Sequence, residues 1–188
     1  MGSGEWVLLL AVALFLMLLA YAYNALARMR NVVRGAWSDI DVQLKRRADL
    51  VPNLVETAKG YAGFEQTVLQ EVVRARSGAS AGQMGPARRA AAEEELAARI
   101  ERVIAVVEAY PELKSSAHFM RLQEELSETE DSIANARRYY NAAVRDFGTM
   151  LDSFPLGLVG LAFRFRKAEF FSVTDPVERR APSARMDK

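Results

Sequence analysis

The chain contains no cysteine and a single histidine, His118, among its 188 residues. Without cysteine there is no disulfide framework, no thiolate ligand for zinc or iron–sulfur, and no thiol nucleophile. A di-iron carboxylate bundle needs Glu-x-x-His on each of two helices; here the residue three before the lone histidine is Ser115. Neither sign of charge is in excess: 25 Lys and Arg face 24 Asp and Glu. A nucleic-acid binder would carry a basic surplus, so no nucleic-acid partner is expected. The small-residue stretch 77–86 has no Lys-Ser/Thr at phosphate-loop spacing. Nothing sets a serine or lysine beside a base. Strand-like alternation is missing as well. The expectation is a protein that is not an enzyme and uses no cofactor or metal.

What is present begins with residues 6–23, an unbroken run of 18 apolar or aromatic side chains. As a helix it spans ~27 Å, close to the hydrocarbon thickness of a bilayer. Trp6 stands at one end and Tyr21 and Tyr23 at the other, where amphipathic rings favour the interface. Residues 20–22, Ala-Tyr-Ala, also have the form of a signal-peptidase site. The flank before the run, however, has Glu5 and no Lys or Arg, and the run is long for a signal core. Retention as a transmembrane anchor, residues 1–23, is therefore favoured. Arg28, Arg30 and Arg34 follow the run, so the positive-inside bias puts the N-terminus outside and the bulk of the chain in the cytoplasm.

The remainder carries helical periods. Leu26, Met29, Val33, Ala36, Ile40 and Leu44 form a first stripe that needs no break from the anchor. A second runs over 52–76, with Leu54, Ala58, Tyr61, Val68, Val72 and Ala75, and a third over 87–109, with Leu96, Ile100, Val103 and Val107. The fourth, 116–152, alternates by threes and fours from Phe119 through Leu126, Thr129, Ile133, Tyr140 and Phe147 to Phe154. That alternation is the mark of a supercoiled helix packing on others. Asp49 would cap the second helix with Pro52 in its first turn, Pro111 would follow the third, Ser115 or Ser116 would cap the fourth, and Pro155 would end it. The fold class expected is all-α: the transmembrane helix continues into an antiparallel, coiled-coil-like four-helix bundle over 24–154.

The stretch RNVVRGAWSDIDVQLKRRADLVPNLVETAKGY at 30–61, joined by VEAYPELK at 107–114, LQEEL at 122–126, TED at 129–131, ARRYYN at 136–141 and Phe154-Pro155, resembles the LemA family of bacterial membrane proteins. The likeness covers about residues 5–172. It implies an N-terminal anchor and a helical cytoplasmic domain, and no established activity. Some members of the family are tied to magnetosome membranes and others are encoded beside a membrane protease, which hints at scaffolding or adaptation.

Charge is distributed unevenly. Residues 24–63 carry seven basic and four acidic side chains, and 112–152 carry five basic and eight acidic. A basic first helix against an acidic fourth is one orienting device; scattered surface charge is the bland alternative. The acidic row Glu124, Glu125, Glu128, Glu130 and Asp131 reads as a solvated or salt-bridging face, and His118 as a surface or capping residue. With a turn at 45–53, packing accounts for Leu44, Val51 and Leu54 but not for Asp39, Lys45, Arg46, Arg47, Asp49 and Asn53. These six are docking candidates for an unidentified protein partner, another membrane protein among the possibilities; caps and inter-helix ion pairs are the competing reading.

After the fourth helix, 155–171 is apolar and then basic: Leu-Gly-Leu-Val-Gly-Leu-Ala-Phe precedes Arg164, Phe165, Arg166 and Lys167. Too short to span, it either touches an anionic leaflet or folds back as a lid. With Trp6, Tyr21, Tyr23, Arg28 and Arg30, these four are the membrane-contact candidates. Residues 172–188 are polar and Pro-containing, and disorder is expected there. The function expected is a non-enzymatic scaffold or adaptor at the bacterial inner membrane, self-associating and docking a partner. The alternative is a membrane-organising or remodelling protein acting on the bilayer. One expectation is discordant: the fourth helix is much longer than the aqueous part of the first.

Overall fold

The computed structural model describes residues 3–61, 63–82 and 84–172, and among them every regular element is a helix. In chain order these are α1 (Ser3–Lys59), α2 (Gln66–Ala79), α3 (Pro86–Val107), α4 (Pro111–Lys114), α5 (Ala117–Asp152) and α6 (Leu156–Ala162). The sequence expectation of an all-helical chain with a long apolar N-terminal helix holds. From Trp6 to Leu18 the large side chains of α1 are uncovered, with Leu10 69% and Met17 68% exposed. A helix exposing apolar groups on every side for several turns is ill suited to water. It is long and apolar enough to cross a membrane. The expected tail at 172–188 lies outside the described residues, Ser172 excepted.

The chain divides into two compact units. The first comprises residues up to 47 together with 124–170. Its core is the stripe read from the sequence: Leu26, Val33, Ala36, Ile40 and Leu44 of α1 are buried, as are Leu126, Ile133, Ala143 and Phe147 of α5. Full burial of each large side chain stabilises by roughly 1.5–3 kcal/mol. Thr129 is fully buried on the same stripe, and its hydroxyl donates to the Glu125 carbonyl at 2.7 Å, so no polar atom is stranded. Trp37 packs on Tyr140 with ring centroids 5.4 Å apart, while Arg47 reaches Glu130. The residue numbers rise on one helix as they fall on the other, so α1 and α5 run antiparallel in this unit.

The second unit comprises residues 48–123 with 171–172 among those described. Here the expected turn at 45–53 is absent. The helix continues through Pro52 to Lys59, and Asp49 is an exposed mid-helix residue, not a cap. Proline has no N–H to donate to the carbonyl four residues back. That carbonyl, of Ala48, instead accepts from Arg76 Nε of α2 at 2.7 Å. The break falls at 60–65, where Gly63 has φ +86° and the Tyr110 hydroxyl donates to the Gly63 carbonyl at 2.6 Å. Tyr110 also stacks on Phe64, centroids 5.3 Å apart. The second stripe is thus split between the end of α1 and α2.

The other boundaries are close to those expected. Pro86 opens α3, Pro111 opens the short α4, and Ser116 Oγ accepts from the Phe119 N–H at the start of α5. Moving the first turn removes the length discrepancy: residues 24–59 of α1 are as long as the 36-residue α5.

Candidate functional site

The six docking candidates lie along α1 and not on a loop. Within the first unit, Asp39, Lys45 and Arg46 are exposed. Arg46 Nη2 is 3.9 Å from Glu128 Oε2, a loose pair between two exposed side chains that contributes little. Its neighbour Arg47 is 2% exposed and donates from Nη1 to Glu130 Oε1 at 2.6 Å. A turn of about 100° per residue separates the two fates: position 46 points to solvent and 47 into the core. Arg47 is therefore a buried ion-pair residue holding α1 to α5. Removing one partner of such a pair leaves a buried charge uncompensated. The acidic row of α5 acts here as the salt-bridging face read from the sequence. In the second unit, Asp49 and Asn53 are exposed, and the Asn53 carbonyl accepts from the Thr57 hydroxyl at 2.7 Å.

Of the membrane-contact candidates, Tyr23, Arg30 and Phe165 meet. Trp6 and Tyr21 are uncovered on α1, and Arg28 is exposed. Tyr23 meets Phe163 and Phe165 edge-on, centroids 4.9 and 5.7 Å apart. The Arg30 guanidinium lies over the Phe165 ring at 5.0 Å, and Phe147 of α5 stands 6.4 Å from it. Phe165 thus joins the C-terminal segment to both α1 and α5. Arg164 and Arg166 stay exposed, and Lys167 Nζ reaches Asp152 Oδ2 at 2.7 Å.

Glycines permit this fold-back. A Cβ on Gly157 would sit 2.6 Å from the Leu151 carbonyl oxygen, and one on Gly160 would sit 2.7 Å from Leu151 Cδ2. At the other end of α6 the Phe165 N–H donates to the Gly160 carbonyl and the Arg164 N–H to the Leu161 carbonyl. Arg164 has φ +57°, completing a Schellman cap at a position that glycine usually fills. Further along, the Tyr140 hydroxyl donates to the Glu169 carbonyl at 2.8 Å. Burial first, and the Glu169 charge second, push the Tyr140 phenol above its ordinary value. In this fold-back Val159 is buried and Phe165 packs on Tyr23, Arg30 and Phe147. Leu158, Leu161 and Phe163 nevertheless remain exposed.

A groove of about 660 Å³ lies between the apolar part of α1 and α6, with Leu18, Ala22, Met150 and Leu158 among its walls. Among the described residues no group of three or more His, Asp or Glu side chains is placed to hold a metal ion. His118 is exposed in the first turn of α5.

Three pairings escaped the sequence reading: Arg76 with the Ala48 carbonyl, Tyr110 with Gly63, and Glu71 with both Arg99 and Arg102 at 3.1 Å. Gly60 and Gly63, three apart, were the available signal for the turn.

The LemA family model matches residues 36–185. Magnetosome protein MamQ 2 of Paramagnetospirillum magneticum is 26% identical over 86% of this chain and 69% of its own length. Magnetosome protein MamQ of Magnetospirillum gryphiswaldense is 23% identical over 91% of this chain and 74% of its own. Protein LemA of Metamycoplasma hominis is 26% identical over 78% and 67% respectively.

Proposed function

The chain belongs to the LemA family, and from that premise we propose that it is a non-enzymatic, membrane-anchored helical scaffold or adaptor. One observation carries the reading. Within the first unit α1 passes without a break from uncovered apolar turns to a packed core, so the anchor and the polar face at Asp39, Lys45 and Arg46 are parts of one rigid element. A partner docked on that face would be held at a set distance from the bilayer. Arg28, Arg30 and Arg34 support a cytoplasmic domain, with the N-terminus outside and the inner membrane as its location. The proposal includes the antiparallel four-helix arrangement of 24–154, and self-association along that bundle.

The test is crosslinking in native membranes from photoreactive groups at Lys45 and Arg46. A discrete adduct, either to itself or to one other protein, is expected. Changing Asp39 to Ala should weaken it without releasing the chain from the membrane. Uniform, unspecific adducts would refute docking at this face. Protease added to intact cells should leave the domain whole; its digestion there would reverse the orientation.

A second reading, a membrane-organising role, is favoured by the exposed apolar side of α6 and is consonant with the magnetosome names of two of those relatives.

A further inference from the structure

We infer that the first unit seats a phospholipid: one acyl chain in the groove between α1 and α6, and an anionic headgroup at the basic collar that follows α6. Leu18 and Ala22 of the groove belong to the apolar run of α1, and Ala25, Met150, Leu158 and Ala162 continue its wall. The cleft is thus continuous with a surface whose solvent is hydrocarbon. Its volume of about 660 Å³ is that of a small-molecule site.

The construction of α6 separates two faces. Gly157 and Gly160 press one against Leu151 and Leu26. On the other, Leu161 is 80% exposed, and Phe154 just before the helix is 84% exposed. Seven residues are far too few to span a bilayer. A short helix that is anchored on one side and greasy on the other lies in the interface.

Charge decides the occupant. The Schellman cap turns the chain at Arg164, so basic side chains begin two residues beyond the apolar helix, with Arg166 next and then Lys167, which is also paired with Asp152. Arg30 joins them through Phe165. A transmembrane helix of another protein filling the groove would have no use for this collar. A lipid with a phosphate and net negative charge uses both parts: tail in the cleft, headgroup among guanidinium donors. The inference rests on the membrane reading of α1 but not on the docking face at Asp39–Arg46, so it can fail while the scaffold reading stands.

Because the chain has no cysteine, Leu161→Cys gives one labelling site for a small fluorophore. The full chain is reconstituted at high lipid-to-protein ratio in phosphatidylcholine vesicles that contain acyl-chain spin-labelled phosphatidylglycerol or phosphatidylcholine. Circular dichroism verifies helicity for each variant. Both lipids should quench the fluorophore, phosphatidylglycerol several-fold more effectively. High salt, or Arg164, Arg166 and Lys167 changed together to Gln, should equalise the two. Ala162→Trp, which fills the groove, should reduce the phosphatidylglycerol preference while leaving the basic collar intact. Absence of quenching by either lipid would place protein or water over α6 and overturn the proposal. Equal quenching from the outset, or a preference unaffected by Ala162→Trp, would overturn it too.

Discussion

Substituting Arg76 by Met should destabilise the fold because of a proline 24 residues earlier. Pro52 leaves the Ala48 carbonyl without its helical donor, and Arg76 Nε supplies the replacement at 2.7 Å in a partly buried setting. Removing a charged donor costs roughly 1.5–3 kcal/mol, most of it the desolvation of the carbonyl left unmet. The expected loss for Arg76→Met is therefore about 2 kcal/mol. Much of it should vanish in a Pro52→Ala background, where residue 52 again donates to the Ala48 carbonyl. The two substitutions should couple by roughly 1–2 kcal/mol, well above the ~0.5 kcal/mol scatter of independent sites. The assay is denaturant unfolding of the full chain in mild detergent, followed by circular dichroism, for the four members of the cycle. Additive losses would show that Arg76 does not replace the missing donor, and the account of why the helix survives Pro52 would fall.

Three further outcomes follow from the first unit. Phe147 and Ile133 are buried on the α5 stripe, so Phe147→Ala should cost ~3–5 kcal/mol and Ile133→Ala ~2–5 kcal/mol; unchanged melting of both would disprove the register. The Tyr140 pKa is raised in the fold, so the unfolded chain loses this proton first as pH rises. The stability it contributes is complete below about pH 10 and is lost as pH climbs through the folded value; subtracting the curve of Tyr140→Phe should isolate that alkaline loss, and parallel curves would contradict it. Gly157→Ala would drive a methyl into the Leu151 carbonyl, so α6 should detach and a limited protease should cut at 155–165 faster than in the wild type; Gly148→Ala, in open space, should leave cleavage unchanged.

The parts of this molecule that were legible in sequence are those that repeat. The α5 stripe could be read because each buried residue recurs at a period that only a packed helix needs. The turn could not be read at its true place. Pro52 is normally a terminator, and what overrides it is a guanidinium from another helix, a contact that leaves no local trace. The weaker pair Gly60 and Gly63 marked the real break. The docking candidates inherited that error: they were read around a turn at 45–53, whereas on a continuous helix Arg46 faces water and Arg47 is paired with Glu130. The membrane-contact candidates were chosen on hydropathy and charge sign, which do not depend on where a turn falls. Their join through Phe165 to Tyr23 and Arg30 is a matter of tertiary packing, and sequence offered no means of choosing lid or lipid.

The continuity of α1 has a consequence for how the gene can change length. Each residue inserted into an unbroken helix advances it by 1.5 Å and rotates everything beyond by about 100°. Between Ala22, which lines the groove, and Leu26, which is fully buried, there is no glycine or proline to absorb a change of phase. One added residue would swing the bilayer face away from α6 while the core stayed in place. Seven would restore the angle to within about 20° and only lift the domain by ~10 Å. Spacing between membrane and domain is therefore adjustable only in steps that restore the helical phase, a heptad being the shortest, and a step out of phase breaks one of the two surfaces.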